Sequence, residues 1–152
     1  MGKPIYRMSE AGKCPRALSA MRLGYEAEPK PEWLERTANE GNWHEQRIIE
    51  ELRADDIAVV RQQEEVKLDY PLFTLIGHIE GTIYDHKDTE DLFEVKSMSQ
   101  FEFDRWMRDY FRAFPHYADQ LALYMEGSNL HQCLYIVKNR NNGYLQEGIP
   151  NL

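Results

Sequence analysis

Gly77-His78-Ile79-Glu80-Gly81 and, fourteen residues after Glu80, Glu94-Val95-Lys96 decide how this sequence is read. The first stretch lies in an apolar run from Leu72 to Tyr84, the second in a run from Leu92 to Ser97, and the polar residues Asp85 to Asp91 between them suit a turn. Side chains alternate between the faces of a strand, so His78 and Glu80 share one face, and Glu94 and Lys96 share another. If the two strands pair, two carboxylates and an ammonium meet. Carboxylates close together repel unless something neutralises them, and a divalent cation that prefers hard oxygen ligands does so. Carboxylates with a lysine in this arrangement point to hydrolysis of a phosphodiester. The same residue types also form ordinary cross-strand Glu–Lys pairs on solvent-facing hairpins, so the rest of the chain has to decide.

Outward from this pair, the pattern predicts helices, then strands, then helices, then strands. Ala11 to Gly24 reads as a first helix ending at a glycine, and Trp33 to Leu52 as a second with a break near Gly41. His44, Ile48 and Leu52 recur at four-residue spacing, which puts His44 on the inward stripe. Ile57 to Arg61 and Val66 to Leu68 read as short strands. After the central runs, Ser99 to Phe114 is a helix stopped by Pro115, which opens another running to Gly127 with Tyr117, Leu121 and Tyr124 on one stripe. Leu134 to Val137 and Tyr144 to Gln146 close the chain as a strand pair across the turn formers Asn139 to Gly143. The expected architecture is α/β, a mixed sheet covered by helices.

A chain of 152 residues suits a single domain, here residues 1–152, and 42% hydrophobic with 29% charged residues is a globular composition. Met1 to Ser9 lacks the apolar core of a signal peptide, and no segment approaches the roughly 20 apolar residues of a membrane span, so a cytosolic protein without a membrane partner is expected. Only Cys14 and Cys133 are present, which excludes a disulfide framework or a four-thiolate cluster within the chain. The net charge of −8 counts against a nucleic-acid partner, because phosphate binding rests on Lys and Arg. Against it, metal ions would offset clustered carboxylates, and Arg105, Arg108 and Arg112 follow the spacing of one helical stripe with aromatics interleaved. That stripe reads equally as a solvated face balanced by Glu102, Asp104 and Asp109.

Five stretches in order, Cys14-Pro15-Arg16, Gly41-Asn42-Trp43-His44, Gly77 to Gly81, Glu94-Val95-Lys96-Ser97 and Gln120-Leu121-Ala122-Leu123-Tyr124, resemble the PD-(D/E)xK nuclease superfamily. Within it they are similar to the RecB-like group of phage recombination exonucleases and CRISPR-associated adaptation nucleases. The resemblance implies a restriction-endonuclease-like core, a central mixed β-sheet flanked by helices. It implies Mg²⁺ or Mn²⁺, one or two ions, held by Glu80, Glu94 and the Val95 carbonyl, with His44 as a further ligand; a satisfied core histidine is the alternative. Lys96 would position or deprotonate the attacking water or stabilise charge in the transition state. Gln120 and Tyr124 would lie beside that lysine and the scissile phosphate, and a glutamine in an apolar stripe needs such a polar partner. Ser97, with Arg105, Arg108, Arg112 and Tyr124, would contact the nucleic acid.

His78, Asp85 and His86 are read instead as polar neighbours of the hairpin. Glu80 departs from the family's usual aspartate, and the cysteines that hold an iron–sulfur cluster in some relatives are missing, so no cluster is expected. The implied function is a metal-dependent DNA nuclease, an exonuclease of recombination or repair, with a structure-specific endonuclease or a non-catalytic nucleic-acid-binding module as alternatives. The small acidic chain leaves little surface to enclose a duplex. Either DNA ends and single strands are the substrate, or a homo-oligomer builds the channel.

Overall fold

Both faces of the run around Glu94 are covered, and the fold is built on that strand. In the computed structural model, which describes residues 3–26, 28–85 and 87–148, the strand β5 (Glu90–Met98) pairs on one side with β4 (Gly81–Tyr84), antiparallel, and on the other with β6 (Cys133–Asn139), parallel. β7 (Leu145–Gly148) adds antiparallel to β6. The parallel β5–β6 pair requires a crossover, and two helices supply it: α3 (Gln100–Asp109) and α4 (Pro115–Ser128). Ser99 caps α3, its side chain accepting from the Glu102 amide while the Glu102 carboxylate accepts from the Ser99 amide at 3.0 Å. Pro115 opens α4 where its missing N–H costs nothing.

A second sheet of three strands holds β1 (Ile5–Arg7), β3 (Thr74–His78) and β2 (Glu65–Asp69) in the order β1-β3-β2, with β1 parallel and β2 antiparallel to β3. Helices α1 (Pro15–Arg22) and α2 (Glu32–Ala54) complete the order. Two cores result. Leu92 and Met98 of β5 pack with Met8, Trp106, Leu121 and Tyr124 on the α3–α4 side, while Phe93 and Val95 pack with Ile48 and Ile49 of α2 on the other. The mixed α/β class is therefore the expected one, built on two mixed sheets instead of one. Among the described residues no helix is long and apolar enough to cross a membrane.

Several element boundaries differ from expectation for identifiable reasons. The run Leu72 to Tyr84 is not one strand: it breaks at Ile79–Glu80, where the chain passes from the first sheet to the second. Ile57 to Arg61 gives only a bridge from Val60 to Thr82, because Arg61 and Gln63 take positive φ angles of 50° and 55° that a ladder does not accommodate. The first helix starts at Pro15 because Gly12, at φ 71°, turns the chain before it. β1 is three residues long, too short for periodicity to reveal.

Helix α2 runs through Gly41 unbroken. A Cβ at Gly41 would stand 3.6 Å from Ser97 Oγ, an ordinary contact, so Gly41→Ala should remove helix-interior flexibility without a clash. The expected gain is about 1 kcal/mol, read as a melting temperature higher by roughly 2–4 °C. A lower melting temperature would mean that the helix needs the glycine.

Candidate active site

The break at Ile79–Glu80 creates the site. Ile79 N–H donates to the Glu64 carbonyl at 3.1 Å and its carbonyl accepts from Gln63 N–H at 3.0 Å, so the chain is pinned where it changes sheets. Gly81 lies so close to the neighbouring segment that a Cβ would stand 2.6 Å from Val59 Cγ1 and 2.8 Å from the Val60 carbonyl oxygen. The β4–β5 ladder ends at Gly81 opposite Phe93. From Glu94 onward β5 has no ladder partner on that side among the described residues, and Glu80 stands beside the opened edge. Its Oε2 accepts from Gln63 Nε2 at 3.0 Å.

Glu94 and Lys96 share the β5 face that looks towards α4. Lys96 Nζ donates to Glu94 Oε1 in a close charge-assisted bond and lies 5.9 Å from the centre of the Tyr117 ring. The Glu94 side chain is 3% exposed and that of Lys96 is 18% exposed. Glu94 Oε2 is buried with no hydrogen-bond partner. Burial works to depress the Lys96 ammonium, but the Glu94 carboxylate, with Glu45 and Glu80 behind it, carries it above the usual lysine range. Burial, then the Glu94 charge, pushes the Glu80 carboxyl up against the opposing pull of Lys96 and Gln63.

The third carboxylate, Glu45, is the residue that the sequence reading missed. Burial and then the Glu80 charge push its carboxyl up to about 7, with Glu94 adding to the rise and Lys96 opposing it. It enters from α2, one turn before Ile49. Ile48 and Ile49 are both 1% exposed, so the inward stripe of α2 is two residues wide and includes Glu45 as well as His44. That isoleucine doublet was the available signal.

His44 is brought elsewhere. It is buried, with Nε2 4.0 Å from Glu40 Oε1 and Nδ1 without a partner. Burial and then Lys138 hold its imidazole below the usual range, Arg140 adds to this and Glu40 opposes it; none of Glu80, Glu94 and Lys96 is among its charged neighbours. Glu45, the next residue of α2, is the one whose carboxyl feels Glu80, Glu94 and Lys96. Gln120 Nε2 donates to the Tyr124 hydroxyl at 2.8 Å. Burial raises that phenol, the Gln120 bond lowers it, and Glu94, Lys96 and Glu80 all act on it, so the pair stands beside the site. Val95 is buried on the opposite face of β5 against the α2 core, and Ser97 shares that face, its hydroxyl next to Gly41.

The arginine stripe is not formed. α3 ends at Asp109 because Tyr110 takes φ 48°, and Arg112 falls in a separate 3-10 turn. Arg105 lies 5.0 Å over the Phe114 ring and donates to the Ala113 carbonyl at 3.3 Å, so its charge serves packing. Arg108 and Arg112 border a surface hollow with Tyr110, Phe111, Gln146 and Glu147, which no residue of the carboxylate site lines. His78 and Asp85 are polar neighbours of the hairpin as expected: His78 is exposed beside Glu65, and Asp85 accepts from the Lys87 and Thr89 amides. His86 lies outside the described residues.

The donor chemistry suits a hard divalent cation: three carboxylates in mutual electrostatic reach, one ammonium, and an orphan oxygen on Glu94. Among the described residues no three His, Cys, Asp or Glu side chains already close on a common point at ligand distance.

No protein-family model and no curated protein matches this sequence. Solved structures do. The crystal structure of SSO0001 matches over 100% of this chain and 70% of that one, with a TM-score of 0.61 at 12% identity. An alkaline exonuclease, LHK-Exo from Laribacter hongkongensis, matches over 96% of this chain and 77% of its own, with a TM-score of 0.62 at 13% identity. This chain has that exonuclease's fold. LHK-Exo in complex with dAMP matches over 95% of this chain and 77% of its own, with a TM-score of 0.61 at 14% identity.

Proposed function

We propose that this chain is a metal-dependent DNA nuclease, an exonuclease that hydrolyses phosphodiester bonds at DNA ends in recombination or repair. The observation that carries the reading is the Glu94–Lys96 pair on β5, with Glu80 beside the open edge and Glu45 within electrostatic reach. The fold shared with an alkaline exonuclease, and a dAMP complex of that same protein, support a nucleotide-bearing substrate.

Glu80, Glu94 and Glu45, with the Val95 carbonyl, would hold Mg²⁺ or Mn²⁺. When bound, such a cation polarises a phosphoryl oxygen and lowers the pKa of its water. Lys96, held charged by the carboxylates, supplies a fixed positive charge where the phosphate gains negative charge, without reorganisation at the moment of reaction. The Tyr117 ring covers one side of that ammonium, and the Gln120–Tyr124 pair offers a preset donor and acceptor beside it. The acidic balance favours single-stranded ends, or a homo-oligomer that encloses the strand, over an intact duplex held by one copy.

End-labelled linear DNA and closed circular DNA, each with Mg²⁺, Mn²⁺ or a chelator, test the reading. Loss of label from linear DNA only, and only with metal, is expected. Nicking of circles would make the protein an endonuclease, and no cleavage under any condition would leave a binding module.

Metal affinity separates the two neighbouring residues of α2. Glu45→Gln should weaken Mn²⁺ binding by roughly tenfold, as expected for loss of one charged contact, whereas His44→Gln should leave it near the parent value. Titration calorimetry decides, and the reverse order would return His44 to the metal site.

A further inference from the structure

On the α2 side of the sheet, away from the face that carries Lys96, lies a second polar cluster that the mechanism above does not use. The β5–β6 register sets Ser97 opposite Lys138. Lys138 is 8% exposed and makes no ion pair among the described residues. Arg140, two residues on, reaches a carboxylate only at 3.8 Å, from Nη2 to Glu102 Oε2. His44 of α2, 7% exposed, has Lys138 and Arg140 as charged neighbours and its Nδ1 unpartnered. A buried histidine nitrogen without a hydrogen-bond partner is unfavourable.

A groove of about 310 Å³, lined by Thr37, Glu40, Ser99, Arg140 and Asn141, opens beside this cluster. It is polar, and its side-chain donors include the Arg140 guanidinium and the Asn141 amide, whose oxygen is already used by the Gln100 N–H. Glu40, whose side chain is 62% exposed, is the one acid in the wall and points its Oε1 at His44 Nε2 from 4.0 Å. An exposed carboxylate on a flexible side chain there stands in the place of an anion and can swing out.

We propose that the groove between the first half of α2 and the β6–β7 turn is a second phosphate subsite. It holds a backbone phosphodiester of a single nucleic-acid strand that flanks the one presented to Lys96, with Arg140 as its cation, Asn141 as a further donor and Glu40 as the gate. The assignment rests on the nuclease reading for its strand, and it explains how an acidic chain grips a polyanion with the arginine stripe unformed.

Anisotropy of a fluorescein-labelled oligothymidylate with the full chain, in chelator so that no cleavage intervenes, tests it. Arg140→Gln should weaken binding roughly tenfold, the scale of one charge-assisted hydrogen bond, and lower the slope of log K against log salt by about 0.7. Arg140→Lys should keep the salt slope. Glu40→Gln, which removes the one acid of the groove wall, should tighten binding.

A parent-like affinity and salt slope in Arg140→Gln would overturn the subsite. So would saturation of the groove by inorganic phosphate, followed through the His44 imidazole resonances, with oligonucleotide affinity unchanged in Arg140→Gln: that result makes it a free-anion site. Cleavage by the parent with no binding loss in Arg140→Gln removes the groove and keeps the nuclease. Binding loss in Arg140→Gln with a parent that never cleaves keeps the groove and removes the nuclease.

Discussion

Lys96→Met is expected to cost the protein both its reaction and much of its stability, whereas Glu94→Gln costs the reaction alone. Lys96 is the ammonium that stands against Glu94, Glu80 and Glu45 together. Removing it leaves Glu94, 3% exposed, as an uncompensated buried charge beside two like charges. Breaking a buried pair in this direction costs about 3–5 kcal/mol, a fall in melting temperature of roughly 10 °C or more for a chain of this size. In Glu94→Gln the ammonium keeps Glu45 and Glu80 as neighbours and one repulsive carboxylate is gone, so the metal-free melting temperature should stay close to the parent's. Both variants should lose at least about 10²-fold in hydrolysis, the scale of losing one preset charge at the reacting group. Thermal unfolding of the two metal-free variants decides; equal stability losses would show that Lys96 is not the neutraliser of the cluster.

Glu45→Gln should stabilise the metal-free protein at pH 8 and leave it almost unchanged at pH 5. The Glu45 carboxyl is pushed up to about 7 from an ordinary value of 4.5, so the folded chain holds a proton that the unfolded chain has released. The stability tied to that proton is complete below about 4.5 and is lost as pH rises through about 7. At 1.4 kcal/mol for each pH unit of separation between 4.5 and about 7, the difference between variant and parent at pH 8 is on the order of 3–4 kcal/mol. The parent's own pH profile is less telling, because His44 and His116, both held low by burial, contribute stability that disappears as pH falls through the unfolded histidine range. The variant–parent difference cancels them. Urea unfolding in chelator at pH 5, 6.5 and 8 reads it, and a difference that does not grow with pH would remove Glu45 from the cluster. Mg²⁺ or Mn²⁺ should shrink the difference at pH 8, since a bound cation offsets the same repulsion.

The carboxylates and lysine were legible because their chemistry is local. A period of two fixes Glu94 and Lys96 on one strand face whatever the strand packs against, and four-residue spacing fixes the inward stripe of α2. Gln120 and Tyr124 are one helical turn apart, and their bond in the structure follows from that spacing. The arginine stripe failed for an equally local reason. Spacing assumes a continuous helix, and Tyr110 leaves helical geometry at φ 48° in a place where no glycine or proline announces it.

The α/β class, the run Leu92 to Ser97 as a strand, and Glu94 with Lys96 on one of its faces could all be read from the chain alone. Each rests on residue type and period, which need no partner to be read. Packing set the division of the chain into two sheets at Ile79–Glu80, brought Glu45 within electrostatic reach of Glu80 and Glu94, and made Lys138 and Arg140 the charged neighbours of His44. Two neighbours on a broad apolar stripe differ by about 100° of helix rotation. Which of them meets the site depends on how α2 lies across β5, a quantity set by the packing of Ile48 and Ile49 against Phe93 and Val95 and invisible to any pattern within α2 alone.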